Sequence, residues 1–303
     1  MSQLCDQILE NYQVRRTETQ KTEFIQFLQQ HIPQLRVETV QKNRNLVVGD
    51  IAKAKVIFTA HYDTCQRSLY PNISIPFHPG LKFAYNMLTL LPIIAAMLLV
   101  MFGTEGFIPN LMTRAFFGLL VYYVLFFLQF FGAPANQHTA NDNTSGVCLL
   151  IQLLETMTPA QLEKVAFVFF DNEEKGCVGS KAFRNYHKAE TEQKLIFNFD
   201  CIADGDHILF LSSLPAEKQW EGLLRQAFRD EDDFTVDFTN SKKAKYSSDQ
   251  KRFPMSIGTA ALTKHPVIGY YFSRIHTHKD TVFSQKNLDF LQAGLIRFVD
   301  TIE

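Results

Sequence analysis

Two uncharged apolar segments lie close together in the first half of the chain. Residues 83–102 and 115–131 contain no charged side chain, and a helix that crosses a membrane needs about 20 such residues. The short connection between them carries Glu105 and Arg114, the two charged residues of this region. The pattern predicts a transmembrane helical hairpin over residues 83–131. A buried hairpin, in a core or in a dimer interface, is the alternative.

The chain as a whole has the composition of an ordinary folded protein. The 303 residues are 46% hydrophobic and 20% charged, with a net charge of −1. This composition is too apolar for a disordered chain, and it lacks the basic excess of a nucleic-acid-binding protein, so no nucleic acid partner is expected. Both ends of a hairpin lie on one side of a membrane. Residues 1–82 and 132–303 are therefore predicted to form one domain, with residues 83–131 as an insertion.

The flanking charges and the cysteines favour the cytoplasm as the location of this domain. Residues 1–82 contain ten Lys or Arg and seven acidic residues, the bias expected of a cytoplasmic flank. The five cysteines have no framework spacing, and no basic segment followed by an apolar run stands at the N-terminus. We therefore expect reduced thiols, no cleaved signal peptide and a plasma-membrane location.

Outside the hairpin, strand-like and helix-like segments alternate. Helical periodicity covers residues 2–31, two short strands flank a polar turn at 42–45, and residues 56–60 form an apolar run typical of a strand buried on both faces. Further strands are predicted at 165–170, 195–199, 208–211, 234–238, 259–262 and 267–272, and helices at 145–157, 179–189, 216–229 and 284–302. The alternation predicts an α/β three-layer sandwich around a central mixed, mostly parallel sheet.

Carboxylates and imidazoles follow several of these strands. His61 and Asp63 end the 56–60 strand on the same face, so Asp63 is placed to fix the tautomer of His61. Asp200 and His276 follow two later strands. The carboxyl ends of the strands are where an open α/β sheet gathers its ligand site. We therefore expect these side chains to meet.

Three further carboxylates complete the candidate set. Glu173 and Glu174 follow the 165–170 strand, and because adjacent side chains diverge, one can bind a metal while the other handles a proton. Asp142 lies just before a predicted helix and is equally typical of a helix cap. Hard carboxylates together with two imidazoles suit a pair of divalent ions, of which zinc is the most expected, with one carboxylate bridging them.

Five motifs of the chain, in this order, resemble those of a known enzyme family. They are His61-Tyr62-Asp63-Thr64, Ala140-Asn141-Asp142-Asn143-Thr144-Ser145-Gly146, the segment 169–180, Asn198-Phe199-Asp200, and His276-Thr277-His278-Lys279-Asp280-Thr281. In form and order they are similar to the motifs of the co-catalytic zinc aminopeptidases, metallopeptidase family 28. The chain resembles a membrane-anchored, bacterial-type member of this family. The resemblance implies the zinc-exopeptidase fold.

The resemblance also implies a set of metal ligands. One metal ion would be held by His61 and Asp200 and the other by Glu174 and His276, with Asp142 bridging both. Two divalent metal ions, zinc in the first place, are thus the expected cofactors.

The same resemblance assigns roles beside the metals. Glu173 would be the general base that takes a proton from the attacking water and passes it to the leaving amine, and Asp63 would orient His61. Asp249, in a Ser-Asp pair ahead of the final ligand, is a candidate substrate-side residue. Cys177 stands where the family usually has Leu, and we expect this change to affect packing alone.

The predicted function is that of a zinc-dependent exopeptidase. An aminopeptidase that hydrolyses N-terminal residues of peptides through a water activated by two metals is the leading hypothesis, with the catalytic domain facing the cytoplasm. A glutaminyl-cyclase-like aminoacyl transferase, a non-catalytic scaffold, and a carboxypeptidase that binds the substrate carboxylate with Arg184, Arg252 or Arg274 are the alternatives. The expected partners are a peptide substrate and a lipid bilayer, contacted through residues 83–131.

The position of the insertion suggests a role beyond anchoring. It leaves the chain soon after His61 and returns shortly before Asp142, so both apolar helices must begin near the predicted metals. One hypothesis is that the mouth of the site faces the bilayer and favours apolar or membrane-associated peptides. The other is that the hairpin only anchors the enzyme.

Overall fold

A nine-stranded sheet runs through the part of the chain that the computed structural model describes, residues 2–229, 231, 233–272 and 274–302. Its strands are β1 (Arg36–Val40), β2 (Asn43–Val48), β3 (Val56–His61), β4 (Val165–Phe170), β5 (Leu195–Phe199), β6 (His207–Ser212), β7 (Thr235–Asn240), β8 (Ser256–His265) and β9 (Gly269–Tyr271). The spatial order is β1-β2-β4-β3-β5-β8-β6-β7, and β9 pairs with β8.

The pairing of the strands makes the sheet mixed. The central strands β4, β3, β5 and β8 run parallel to one another. The pairs β1–β2, β2–β4 and β6–β8 are antiparallel. The predicted mixed sheet of an α/β fold is thereby confirmed. Because the central strands are parallel, their carboxyl ends meet at one edge.

Helices cover both faces of this sheet. In the described residues they are α1 (Gln3–Asn11), α2 (Glu18–His31), α3 (Pro79–Gly103), α4 (Leu111–Phe130), α5 (Ser145–Thr156), α6 (Pro159–Leu162), α7 (Val178–Tyr186), α8 (Lys188–Thr191), α9 (Leu214–Ala227) and α10 (Gln285–Asp300). Phe58 of β3 packs in the core beneath α1, α2, α5, α9 and α10. Its neighbour Ile57 faces the other way, into a second core with Phe183 of α7. Burial on both faces explains why β3 is a continuous apolar run.

The N-terminal helical pattern divides into two helices instead of one. α1 ends at Asn11, and α2 begins after Thr17, whose side chain accepts from the backbone N–H of Gln20 in a capping box. Between them Arg15 is fully buried and contacts distant loops. A helix over residues 2–31 could not bring Arg15 to these partners, so tertiary contacts override the local periodicity.

The two apolar segments form the exposed helices α3 and α4, which pack against each other. Of the described side chains of α3, Ile93 alone is buried, and in α4 only Arg114 and Gly118 are. Both helices are long and apolar enough to cross a membrane. The hairpin is therefore not part of a core of this chain. α3 begins at Pro79, ahead of the predicted start at 83, and proline is favoured in the first helical turn.

A short linking segment, residues 66–72, joins the base of the hairpin to the edge of the sheet. The side-chain amide of Gln66 donates to the Phe130 carbonyl, and the Tyr85 hydroxyl donates to the Pro71 carbonyl at 2.7 Å. In the same segment, the backbone N–H of Ser68 donates to the carbonyl of His276 at 2.7 Å. The base of α3 and α4 is thus tied to the loop that carries His276.

Candidate metal centre

The parallel strands bring the predicted residues together at one edge of the sheet. His61 is the last residue of β3, Asp200 directly follows β5, and Glu173 and Glu174 follow β4. Asp142 lies in the irregular turn Ala140–Thr144 before α5. His276 comes from the loop after β9.

The asparagines beside Asp142 anchor its turn to the end of β5. The Asn143 amide donates to the Phe199 carbonyl at 2.9 Å, and its oxygen accepts from the backbone N–H of Gly146 at 3.0 Å. A Cβ at Gly146 would lie 2.5 Å from the Phe199 carbonyl oxygen, so this approach requires glycine. The motif around Asp142 therefore fixes its position relative to Asp200.

Asp142 lies between the two histidines. Its Oδ1 is 3.4 Å from His61 Nε2, and its Oδ2 is 3.0 Å from His276 Nε2. Each oxygen of one carboxylate therefore faces a different imidazole. This is the arrangement that a ligand shared between two ions requires.

Two groups of potential ligands meet at Asp142. On one side, His61 Nε2 is 3.6 Å from Asp200 Oδ1, and ligand atoms of His61, Asp142 and Asp200 lie within 4.8 Å of one another. On the other side, His276 Nε2 is 3.4 Å from Glu174 Oε2. The Cys65 thiol forms a group with these two residues and was not predicted.

The carboxylates of this cluster would be stabilised by bound cations. Burial, opposed by His276 and reinforced by Asp142, raises the pKa of Glu174 to about 8. Its Oε1 has no hydrogen-bond partner among the described residues. Burial lowers the pKa of His276, but Glu174 and Asp142 outweigh it and raise this pKa to about 10. The buried carboxylates and imidazoles are the donors that zinc accepts, so the residues fit two divalent cations.

The backbone of Asp63, and not its carboxylate, lies closest to His61. His61 Nδ1 is 3.0 Å from the Asp63 carbonyl oxygen and 3.7 Å from its Oδ1. Donation to this carbonyl would leave Nε2 free as a ligand. The carboxylate instead accepts from the backbone N–H groups of Glu173 at 2.8 Å and Glu174 at 3.2 Å. Asp63 thus orients both strand ends.

Two thiols contact carboxylates of the cluster. The Cys177 thiol donates to Glu173 Oε1 at 3.2 Å, and the Cys201 thiol donates to Asp200 Oδ1 at 3.1 Å. All five cysteines are unpaired and buried. The contact of Cys177 with Glu173 goes beyond the packing role expected from the sequence.

Two cavities open onto the cluster. The smaller, about 130 Å³, is lined by Asp142, Glu173, Glu174, Asp200 and His276 together with residues of the surrounding loops. The larger, about 750 Å³, reaches from Asp63, Glu174 and His276 to the base of the hairpin.

Asp249 is not among the residues that line either cavity. It is fully buried, and burial, opposed by His61 and by the Ser180 hydroxyl, raises its pKa to about 7. Burial is the main cause of the raised pKa of Glu173, and the charge of Asp249 raises this pKa further. Asp249 is thus close enough to influence Glu173, and its role on the substrate side stays a prediction.

Two residues that support the centre were missed. Asp280 accepts from the backbone N–H groups of Asn141 at 2.8 Å and Asp142 at 3.1 Å. Arg15 donates to the Tyr62 carbonyl at 2.5 Å and to the Thr144 hydroxyl at 3.1 Å, so it joins the loop after β3 to the turn of Asp142. Asp280 belongs to a recognisable motif, whereas nothing near Arg15 in the sequence indicates its partners.

Comparisons with known proteins agree with this geometry. The sequence pattern of Peptidase family M28 matches residues 128–297. The fold is similar to LapA aminopeptidase of Legionella pneumophila (12% identity, TM-score 0.56, covering 98% of this chain and 67% of that one). It is also similar to LapB of Legionella pneumophila (12% identity, TM-score 0.57, covering 98% of this chain and 70% of that one). A third similar fold is that of glutaminyl cyclase of Porphyromonas gingivalis (13% identity, TM-score 0.55, covering 98% of this chain and 95% of that one). None of the curated protein sequences compared with the chain matches it.

Replacing Arg15 by Met should weaken metal binding without removing a ligand. Loss of the guanidinium leaves the Tyr62 carbonyl and the Thr144 hydroxyl without their shared donor. Because these groups neighbour the ligands and are not ligands themselves, we expect a fall in metal affinity of roughly tenfold, the lower end of the effect of losing a group that orients a ligand. Competition with a chelator measures the zinc affinity of the purified protein. Arg36→Met, at an exposed arginine, is the control. Equal affinity in both variants would show that Arg15 does not position the site.

Proposed function

Because the chain belongs to peptidase family M28, we propose that it is a zinc-dependent aminopeptidase held in a membrane by α3 and α4. The observation that carries the proposal is the Asp142 carboxylate, whose oxygens face His61 at 3.4 Å and His276 at 3.0 Å. His61 and Asp200 would hold one ion, Glu174 and His276 the other, and Asp142 both.

The ions and the chain divide the chemistry between them. Zinc, when bound, polarises the scissile carbonyl and favours ionisation of the attacking water. The residues of the chain fix the ligands: Asp63 holds His61 through its carbonyl and the turn of Glu173 and Glu174 through its carboxylate. Asp280 holds the backbone of Asp142.

Glu173 is the proposed general base. Its side chain lines the 130 Å³ cavity beside the ligands. Among the described residues, it forms no ion pair with His61 or His276. The Cys177 thiol donates to its Oε1 and so limits its rotation. Glu173 would take a proton from water and deliver it to the amine of the departing peptide. Burial raises its pKa, which makes the carboxylate a stronger acceptor of the proton from water.

The positions of three arginines argue against the carboxypeptidase alternative. Arg274 pairs with Asp204 at 2.5 Å, Arg252 donates to the Gly176 carbonyl at 2.6 Å, and Arg184 lies 3.9 Å from Glu192. None of the three lines either cavity at the centre. The likeness to a glutaminyl cyclase is one of fold.

The base of the hairpin supports a membrane-facing entrance. The 750 Å³ cavity is lined by Asp63, Glu174 and His276 on one side and by residues of α3 and α4 on the other, among them Tyr85 and Gln129. Peptides that partition into the bilayer surface would therefore reach the centre along these helices. Simple anchoring is the competing role.

We also propose that the sheet and its helices lie on the cytoplasmic side of the plasma membrane. The basic excess of residues 1–82 supports this side. The five unpaired cysteines are compatible with a reducing compartment.

Glu173→Gln and Asp142→Asn should separate catalysis from metal binding. We expect Glu173→Gln to lower kcat for aminoacyl reporter substrates by about 100-fold or more, because the amide cannot accept the proton. Its metal content should equal that of the wild type. Asp142→Asn should reduce the metal content itself, because a shared anionic ligand is lost. Steady-state kinetics and elemental analysis of the purified variants measure both.

Near-wild-type turnover of Glu173→Gln would contradict its role as the base. Unchanged metal content in Asp142→Asn would contradict the shared ligand.

Replacing residues 84–131 by a short Gly-Ser linker tests the role of the hairpin. A membrane-facing entrance predicts that turnover of soluble aminoacyl reporters persists, whereas hydrolysis of hydrophobic peptides presented in lipid vesicles falls several-fold. Phe107→Ser, at the exposed far turn of the hairpin, is the control. Unchanged hydrolysis of both substrate classes would leave anchoring as the sole role.

A further inference from the structure

The small cavity at the metal centre is lined by one lysine, which lies at the start of α3. Lys82 lies in the first turns of α3 and lines the 130 Å³ cavity together with Glu173, Glu174 and His276. The cavity volume corresponds to roughly four water molecules. The ions that these ligands would hold take up part of this space, and the rest lies beside Lys82 and the apolar walls.

The ammonium group of Lys82 lacks a partner among the residues that the structure describes. Lys82 is half-buried, yet its Nζ forms no ion pair or hydrogen bond with any of the described residues. Four carboxylates line the same cavity, and none of them pairs with it. A partly buried cation without a counter-charge is costly. Lys82 therefore lies apart from the carboxylates of the centre and is available to an incoming anion.

The walls between these charges suit the carbon chain of an amino acid. Phe272 and Ile275 are buried apolar residues of the cavity, and Asn72, Ser74 and Ser247 add neutral polar groups. Pockets of this kind pack the apolar part of a ligand and orient it through a few polar groups. The cavity thus has carboxylates, apolar walls and one ammonium group.

We propose that Lys82 binds a carboxylate of the substrate. This inference rests on the proposed function, since it assigns a specificity to the same site. Two sources supply the chemistry: the side chain of an acidic residue at the cleaved N-terminus, or the C-terminal carboxylate of a dipeptide or other short peptide. Lys82 also disfavours substrates with a basic side chain at this place, because like charges repel.

The test compares full-length, zinc-loaded wild type with Lys82→Met in detergent. Reporter amides of glutamate and glutamine are isosteric and lack a free C-terminal carboxylate, so their ratio of kcat/KM reports on an acidic side chain. Leu-Gly and Leu-glycinamide differ only at the C-terminus, so their ratio reports on that carboxylate. We expect Lys82→Met to lower one of the two ratios by roughly tenfold or more, the scale of a charged hydrogen bond.

The ratio that falls identifies the source of the carboxylate. Lys245→Met is the matched control, because Lys245 is exposed, donates to the Ser241 carbonyl at 2.7 Å and does not line the cavity. Both ratios should stay at wild-type values in this variant. Ratios that are equal in wild type and Lys82→Met would overturn the proposal. So would a change confined to the binding of vesicles with anionic lipids, which would make Lys82 a lipid contact.

A binding measurement separates this inference from the proposed function. Calorimetric titration of zinc-loaded Glu173→Gln, with and without Lys82→Met, needs no turnover and uses two matched pairs: the α-amides of glutamate and glutamine, and Gly-Gly with Gly-glycinamide. Tighter binding of the carboxylate member of either pair, lost when Lys82→Met is added, supports the carboxylate site. It does so even if no reporter is hydrolysed, a result that would refute only the peptidase. Equal binding with and without Lys82 refutes the carboxylate site.

Discussion

The carboxylate of Asp142 holds the two halves of the centre together. One oxygen faces the histidine at the end of β3 and the other faces His276, on a loop more than two hundred residues further along the chain. Buried ionised groups are costly unless they are paired. The surrounding structure therefore serves to fix this one side chain: Asn143 anchors its turn to β5, and Asp280 binds its backbone.

The hairpin is inserted into the same stretch of chain that links these ligands. It follows the strand of His61 and precedes the turn of Asp142, and residues 66–72 tie its base to the loop of His276. The apolar hairpin and the candidate metal centre thus share one boundary. Tyr85 and Lys82, both at the start of α3, line the two cavities that open at that boundary. Access and specificity are accordingly proposed to depend on residues at the start of α3.

The sequence predicted the sheet and the gathering of the candidate ligands because both follow from local signals. Apolar runs such as residues 56–60 mark buried strands, and their parallel carboxyl ends meet by geometry. The break between α1 and α2 was missed, since Arg15 is held by Tyr62 and Thr144, which are distant in sequence. The partner of His61 is a backbone carbonyl, and residue identity says nothing about carbonyl orientation. Asp249 matched a motif, but its burial depends on the packing of several elements.

The most direct measurement is anomalous diffraction at the zinc edge from crystals of the zinc-loaded protein. Two peaks are expected, one beside His61 and Asp200 and one beside Glu174 and His276, with Asp142 in contact with both. A single peak, or zinc bound away from Asp142, would contradict a two-metal centre built around that carboxylate.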